Sequence, residues 1–216
     1  MSQVKDPISE IESAIETIRE SAKSLNAKEN VKKFETVYVN FVGGPCSGKS
    51  TISAALFAAI KLKQEYSCEL VTEAVKDFVY SSNTEALNDQ LLITATQNHL
   101  LRKLKGKVQV VVTDAALFNG IIYNKFYGAD PSTIDTLALE CFHNYNNYVV
   151  LLPRKPKYDT YGRSQSEEEA KQIDKLFIEF LTKENVPFLD LRGLKHEEIT
   201  EKVMELIPQI VPDTAK

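Results

Sequence analysis

The sequence predicts an α/β fold, a five-stranded parallel sheet with helices on both faces and a lid, and three observations predict it. Apolar runs rich in Val, Ile and Leu alternate with segments of helical period; the runs are nearly continuous; and a glycine-rich turn joins the first run to the helix after it. A strand covered on both faces has no polar side to show, so an unbroken apolar run between helices marks a parallel sheet with crossover helices.

Taken in order, residues 7–28 place Ile8, Ile11, Ile15, Ile18, Ala22 and Leu25 at helical spacing between charges, which predicts an amphipathic helix. The polar stretch "NAKENVKK" follows as a linker, so residues 1–35 are read as a helix and linker ahead of a main domain at 36–216. That helix packs on the domain or, as the alternative, makes a homodimer contact. "TVYVNFV" (36–42) reads as the first strand and 49–64 as a helix. "CELVT" (68–72) is the second strand, and 74–80 a short helix. Residues 85–104 read as one long helix, "VQVVVTD" (108–114) as the third strand and 134–144 as a helix. "YVVLL" (148–152) is the fourth strand, 167–183 a helix, "PFLDL" (187–191) the fifth strand and 197–207 a closing helix.

Composition bounds the function classes. The 216 residues, 43% hydrophobic and 26% charged, suffice for one well-buried core with an added lid. Twenty-six basic against 30 acidic side chains give a net charge of −4, which provides no broad positive field for a nucleic-acid backbone and disfavours nucleic acid as a partner. Cys46, Cys68 and Cys141 are odd in number and far apart, and His99, His143 and His196 lack metal-site spacing, so reduced thiols in a reducing compartment are expected. No apolar run approaches the roughly 20 residues a membrane span needs. Asp6, Glu10 and Glu12 stand where a signal peptide would be basic. The expectation is a cytoplasmic protein without a membrane partner.

The turn itself, "FVGGPCSGKST" (41–51), carries the sharpest signal. Gly43 to Ser50 satisfies GxxxxGK(S/T) in the strand-to-helix setting this phosphate loop requires. Gly43, Gly44 and Gly48 let the backbone curl, with Pro45, Cys46 and Ser47 completing the loop, so that N–H groups and the positive helix end face phosphate oxygens. Lys49 reaches the terminal phosphates, Ser50 ligates Mg²⁺, and Thr51 adds a hydroxyl near an α-phosphate. A purely structural glycine turn needs no lysine followed by serine, so a nucleoside triphosphate with Mg²⁺ is the expected ligand, and the position of Cys46 invites inactivation by thiol reagents.

Further candidates follow from position. Asp114 ends the third strand, where such a fold supplies a carboxylate to Mg²⁺; capping the next helix is its bland alternative. Glu73 ends the second strand, on the edge facing the ligand crevice, and is a candidate to accept a hydroxyl proton during phosphoryl transfer, with Asp77 one turn on as its substitute. Gln97 and Arg102 are polar positions on the long helix that would bind an acceptor. Arg154, Lys155, Lys157 and Arg163 crowd a loop at 153–166, a candidate lid whose cations would neutralise charge on the transferred group, and Ser166 starts a capped helix.

These residues resemble a known group, the P-loop kinases related to nicotinamide riboside kinase together with small ATP-binding kinases of phage genomes. The likeness rests on "GGPCSGKST", "VTEAVKDFVY", "NDQLLITATQNHLLRKLKGKVQVVVTDAAL" and "YDTYGRSQSEEEAKQID", between residues 37 and about 192. Only the first is a sharp motif. The resemblance implies the nucleoside-monophosphate-kinase-like form of the P-loop NTPase fold, with ATP and Mg²⁺ as co-substrates. It also implies transfer of the γ-phosphate to a hydroxyl of a nucleoside- or nucleotide-like small molecule. Lys49 and Ser50 would serve ATP and metal, Glu73 or Asp114 the acceptor hydroxyl, and Arg154 and Arg163 the lid. Ala115 stands where the group often has a small hydroxyl residue. A kinase of a hydroxymethylated base within DNA and an NTP-hydrolysing AAA-type switch are the competing expectations.

Overall fold

The computed structural model describes residues 34–159 and 165–212. The helix expected at 7–28 and the middle of the expected lid, Arg163 included, lie outside the described residues. Five strands, β1 (Val37–Val42), β2 (Cys68–Val71), β3 (Val110–Thr113), β4 (Asn146–Leu151) and β5 (Phe188–Asp190), form one sheet in the order β2-β3-β1-β4-β5. Every pairing is parallel; Val39 sits opposite Val112 of β3 and Tyr148 of β4.

All six residues of β1 are buried because it is central and paired on both sides. Its side chains alternate between two cores. Val37, Val39 and Phe41 pack with Ile52, Leu56 and Ile60 of α1 (Lys49–Lys63) and with Ile199, Val203 and Ile207 of α8 (His196–Ile210). Tyr38 and Val42 face the opposite cluster, where Leu101, Phe118, Phe142, Ile173 and Phe177 meet. The chain leaves β1 toward β2 on one side and later crosses to β4 on the other, so the strand order reverses at β1 and opens a crevice at its carboxyl end.

The remaining helices are α2 (Val75–Tyr80), α3 (Thr84–Asn88), α4 (Gln90–Arg102), α5 (Asn119–Phe126), α6 (Thr133–His143) and α7 (Glu167–Lys183). The long helix expected over 85–104 is two. Asp89 leaves the helical region at φ −93°, ψ 88°, and its carboxylate accepts from Leu92 N at 2.9 Å, capping α4. The sequence reading also passed over α5. Its "NGIIYNKF" holds Gly120, two isoleucines and a tyrosine, all weak helix formers, and no side chain caps it. Burial of Ile122, beside Phe118, against the second core supplies what propensity does not. The capped start expected at Ser166 is present. Ser166 Oγ accepts from Glu169 N at 3.2 Å and the Glu169 carboxylate accepts from Ser166 N at 2.7 Å.

Candidate active site

The loop between β1 and α1 owes its shape to glycine and to close packing from behind. Gly48 sits at φ +81°, and a Cβ there would stand 3.0 Å from Lys155 Cε and 3.1 Å from His196 Cδ2. A Cβ at Gly44 would lie 2.6 Å from Asp174 Oδ1 and 2.7 Å from Ala170 O. Gly44 therefore leaves no room for a Cβ beside the Ala170 carbonyl, and at Gly48 the left-handed backbone disfavours a side chain. No side chain caps α1 and no acid occupies its first turn, which leaves its positive end turned toward the loop. Lys49 Nζ donates to Gly43 O at 2.7 Å and Gly44 O at 3.0 Å. Burial pushes the Lys49 ammonium below the ordinary lysine pKa, against the pull of Glu73, Asp114 and Asp174. Ser50 and Thr51 are exposed at the start of α1.

A second layer holds the loop from outside. Gly44 N donates to Asp174 Oδ1 at 2.7 Å, Arg154 Nη1 donates to Pro45 O at 3.0 Å, and the Arg154 guanidinium pairs with Asp174. Lys155 N donates to Cys46 O at 3.3 Å, and His196 Nε2 lies 3.1 Å from Ser47 O. Arg154 was expected to reach the transferred phosphate from a lid. In the structure its guanidinium fork is engaged by Asp174 and a carbonyl of the phosphate loop. Cys46 is likewise more than a small residue. It adopts φ 66°, is 5% exposed, and its Sγ accepts from Asp159 N at 3.3 Å while facing Lys157 O at 3.7 Å, so it ties the phosphate loop to the segment at 157–159. Asp174 and His196 were missed. For Asp174 a signal existed, since Ala170 and Asp174 are one helical turn apart, a small residue and an acid on the same face of α7. His196 offered none.

Asp114 follows β3 and caps no helix; the cap position of α5 is Phe118. It is 2% exposed, its Oδ2 accepts from Ser50 Oγ at 2.5 Å, and its Oδ1 lacks a hydrogen-bond partner. Lys76 Nζ lies 2.8 Å from Ser50 Oγ and 3.0 Å from Asp114 Oδ2. A hydroxyl, a buried carboxylate and an unpartnered carboxylate oxygen make a hard oxygen set, and the ammonium beside them shows that the spot favours a cation. That fits Mg²⁺, which takes one or two protein oxygens and completes its octahedron with phosphate and water. Among the described residues no cluster of three or more His, Cys, Asp or Glu offers a rival metal site. Lys76 went unnoticed in the sequence because neither strand end nor motif marks it.

Beside this spot a cavity of about 500 Å³ opens, lined by Glu73, Thr94, Gln97, Ala115, Asn119 and Tyr123 among others. Glu73 does not cap α2, whose cap position is Ala74. Burial raises the Glu73 pKa above the ordinary glutamate value, opposed by Lys49 and Lys76 and assisted by Asp114. Glu73 thus lines the cavity and lies near enough to Lys49, Lys76 and Asp114 to feel their charges. Burial also pushes the Tyr123 phenol up, and the Glu73 charge adds to it. Gln97 lines the cavity, with Oε1 accepting from Ala74 N at 2.9 Å. Asp77 is not among the cavity's lining residues, and Arg102 is exposed at the far end of α4, near Tyr145, because the last helical turn points away from the strand carboxyl ends. Gln165, just before α7, lines the cavity and donates from Nε2 to Tyr127 OH at 2.7 Å.

Among the described residues no helix is long and apolar enough to cross a membrane. Among curated proteins no relative matches the chain. A family model described as "AAA domain" matches residues 38–198, which takes in all of β1 but Val37, the phosphate loop, Glu73, Asp114 and α7. With the loop at the carboxyl end of a central parallel strand and the family model spanning most of the sequence, the chain belongs to the AAA-domain family and has a P-loop NTPase-type nucleotide-binding fold.

Proposed function

We propose that the protein is an ATP-dependent kinase that transfers the γ-phosphate to a hydroxyl of a nucleoside- or nucleotide-like small molecule. The observation that carries this reading is the cavity of about 500 Å³ with Glu73 on its wall and the Ser50–Asp114–Lys76 cluster behind that glutamate. A hydrolase needs room for a water molecule only; a cavity of this size suits a ring-bearing acceptor.

In this reading the loop amides and Lys49 hold the phosphates of ATP, while Ser50 and Asp114 would hold Mg²⁺, which supplies positive charge to the phosphate oxygens. Glu73 accepts the proton of the acceptor hydroxyl. The hydroxyl oxygen then bonds to the γ-phosphorus as the bond from that phosphorus to the β-bridging oxygen breaks, and ADP departs with the electron pair. A raised Glu73 pKa suits a base that must take a proton near neutral pH. Closure of the Gln165 end of the lid on Tyr127 keeps water from competing.

The test is incubation with γ-labelled ATP and a panel of nucleosides and nucleotides. Label on at least one acceptor is expected. Label on none, together with steady ATP hydrolysis coupled to self-assembly or partner binding, would establish the second reading, an AAA-type NTP-hydrolysing switch, which the family description favours. Label entering duplex DNA that carries hydroxymethylated bases, but no free nucleoside, would move the acceptor into DNA.

A further inference from the structure

We propose that Arg154 and Asp174 form a positioning pair that keeps the phosphate loop shaped for an anion. Arg154 holds the Pro45 carbonyl outward, which turns the Cys46 amide inward, and it cancels the charge of Asp174, the carboxylate that anchors Gly44. The pair serves nucleotide binding, so it rests on the phosphate loop and not on the kinase reading.

Peptide geometry carries the first half. The loop contains no cis bond, and in a planar trans peptide the C=O and the following N–H point opposite ways. Fixing a carbonyl therefore aims the next amide. Arg154 Nη1 holds Pro45 O at 3.0 Å, Lys155 N holds Cys46 O at 3.3 Å, and His196 Nε2 faces Ser47 O at 3.1 Å. Three successive carbonyls thus face this outer layer, and the amides of Cys46, Ser47 and Gly48 are turned away from it. Ser47 N meets Gly44 O across the turn at 3.3 Å, whereas Cys46 N and Gly48 N have no hydrogen-bond partner among the described residues. Arg154 bears on two of the three holders, since Lys155 is the next residue along.

Charge carries the second half. Gly44 N donates to Asp174 Oδ1 at 2.7 Å, and the other carboxylate oxygen, Oδ2, accepts from Arg154 Nη2. A Cβ on Gly44 would stand 2.7 Å from Ala170 O, so the loop lies directly on α7. Asp174 gives the loop an anchor but sets a negative charge beside a site for a polyanion, close enough for Lys49 to feel it. The Arg154 side chain is 17% exposed and that of Asp174 28%, so water screens the carboxylate only in part. Removing one member of such a pair leaves the other's charge uncompensated, whereas neutralising both does not. The two substitutions should therefore oppose each other in their effect on anion affinity.

Calorimetric titration of the full chain with ATP and with inorganic tripolyphosphate, each with Mg²⁺, tests this. Arg154→Met should weaken binding of both on the order of 30-fold. Asp174→Asn keeps an oxygen for Gly44 N and removes the charge; added to Arg154→Met, it should bring both affinities back to within about 5-fold of the parent. An arginine that touched the phosphate itself would behave otherwise, because Asp174→Asn could not replace it and the double variant would bind as weakly as Arg154→Met. A pair that only supported the fold would shift the melting temperature and leave the affinity of the folded protein unchanged. Either of those results, or a parent that binds neither anion, would overturn the proposal. Should Arg154→Met fail to fold, Arg154→Gln keeps a donor for Pro45 O without the charge. Asp174→Asn should relieve its weakened binding in the same way, and no relief would again overturn the proposal. Label reaching no acceptor would leave the pair standing and defeat the kinase reading; label transfer by the parent, with no relief in the double variant, would do the reverse.

Discussion

The phosphate loop and the cavity beside it share Glu73 as a boundary but are built on opposite plans. The loop is eight consecutive residues, Gly43 to Ser50, held from behind by Asp174, Arg154, His196 and the lid backbone. The cavity is drawn from α2, α3, α4, the turn after β3, α5 and Gln165, and two of its buried amides are unmatched. The difference follows from what each is built to hold. A triphosphate is an invariant anion, so backbone N–H groups and one lysine suffice and can be packed rigidly in advance. In the proposed reading an acceptor must be distinguished from other small molecules, which needs side chains of fixed shape and polarity around the cavity.

The largest expected effect lies on the loop side. Lys49→Ala removes the ammonium that the loop curls around and should reduce transfer by on the order of 1000-fold or more. The same titration should show weakened ATP binding, with the melting temperature near that of the parent. Unchanged turnover would remove the loop from the chemistry.

Next comes the boundary. Glu73→Gln should lower kcat by about 100-fold while ATP affinity stays within a few-fold, because in the proposed reading the residue meets the acceptor and not the nucleotide. Equal losses of both would make Glu73 structural. Burial holds the Glu73 pKa above the ordinary glutamate value, so the proton-accepting form is lost as pH falls through that raised value. Activity should therefore decline on the acidic side at a higher pH than an exposed glutamate would give, and Glu73→Gln should flatten that limb.

A smaller effect belongs to Lys76, whose ammonium lies within hydrogen-bond distance of Ser50 Oγ and Asp114 Oδ2 and competes for the oxygens that would hold Mg²⁺. Lys76→Met leaves the buried Asp114 carboxylate without its cation. Its partner is about one-third exposed, so screening limits the loss to roughly 1 kcal/mol, or about 2–4 °C in melting temperature. That loss should appear without nucleotide and shrink with Mg²⁺ and ATP present, and the Mg²⁺ concentration needed for half-maximal ATP binding should fall. A requirement that rises instead would mean Lys76 assists the metal.

The same contrast explains what was legible in the sequence. Contiguous features were readable: the loop, the five apolar strands and the capping box at Ser166 each declare themselves within a few residues. Glu73 and Asp114 were readable as positions because strand ends face the crevice. Asn119 and Lys76 were not, since their meaning depends on how α5 and α2 pack, and α5 itself is a helix that its own residues only weakly favour. Which way Asp77 and Arg102 face was not legible for the same reason, because being polar on a helix does not fix which way its turn faces.

The finest test uses two helix caps of identical chemistry in different places. Ser132 begins α6 and Ser166 begins α7, each in a complete capping box with Asp135 or Glu169. Ser132→Ala and Ser166→Ala should each cost about 1 kcal/mol of stability, since each removes one side-chain acceptor from a helix N-terminus. They should differ in function. Ser166 follows Gln165, which lines the cavity and bonds Tyr127, whereas neither Ser132 nor its neighbours line it. Loosening the start of α7 should therefore raise the acceptor KM several-fold and leave the ATP KM unchanged, while loosening α6 should alter neither. Equal acceptor KM values in the two variants would mean that the lid's anchored end does not govern the cavity, and closure over the acceptor would then have to come from other residues.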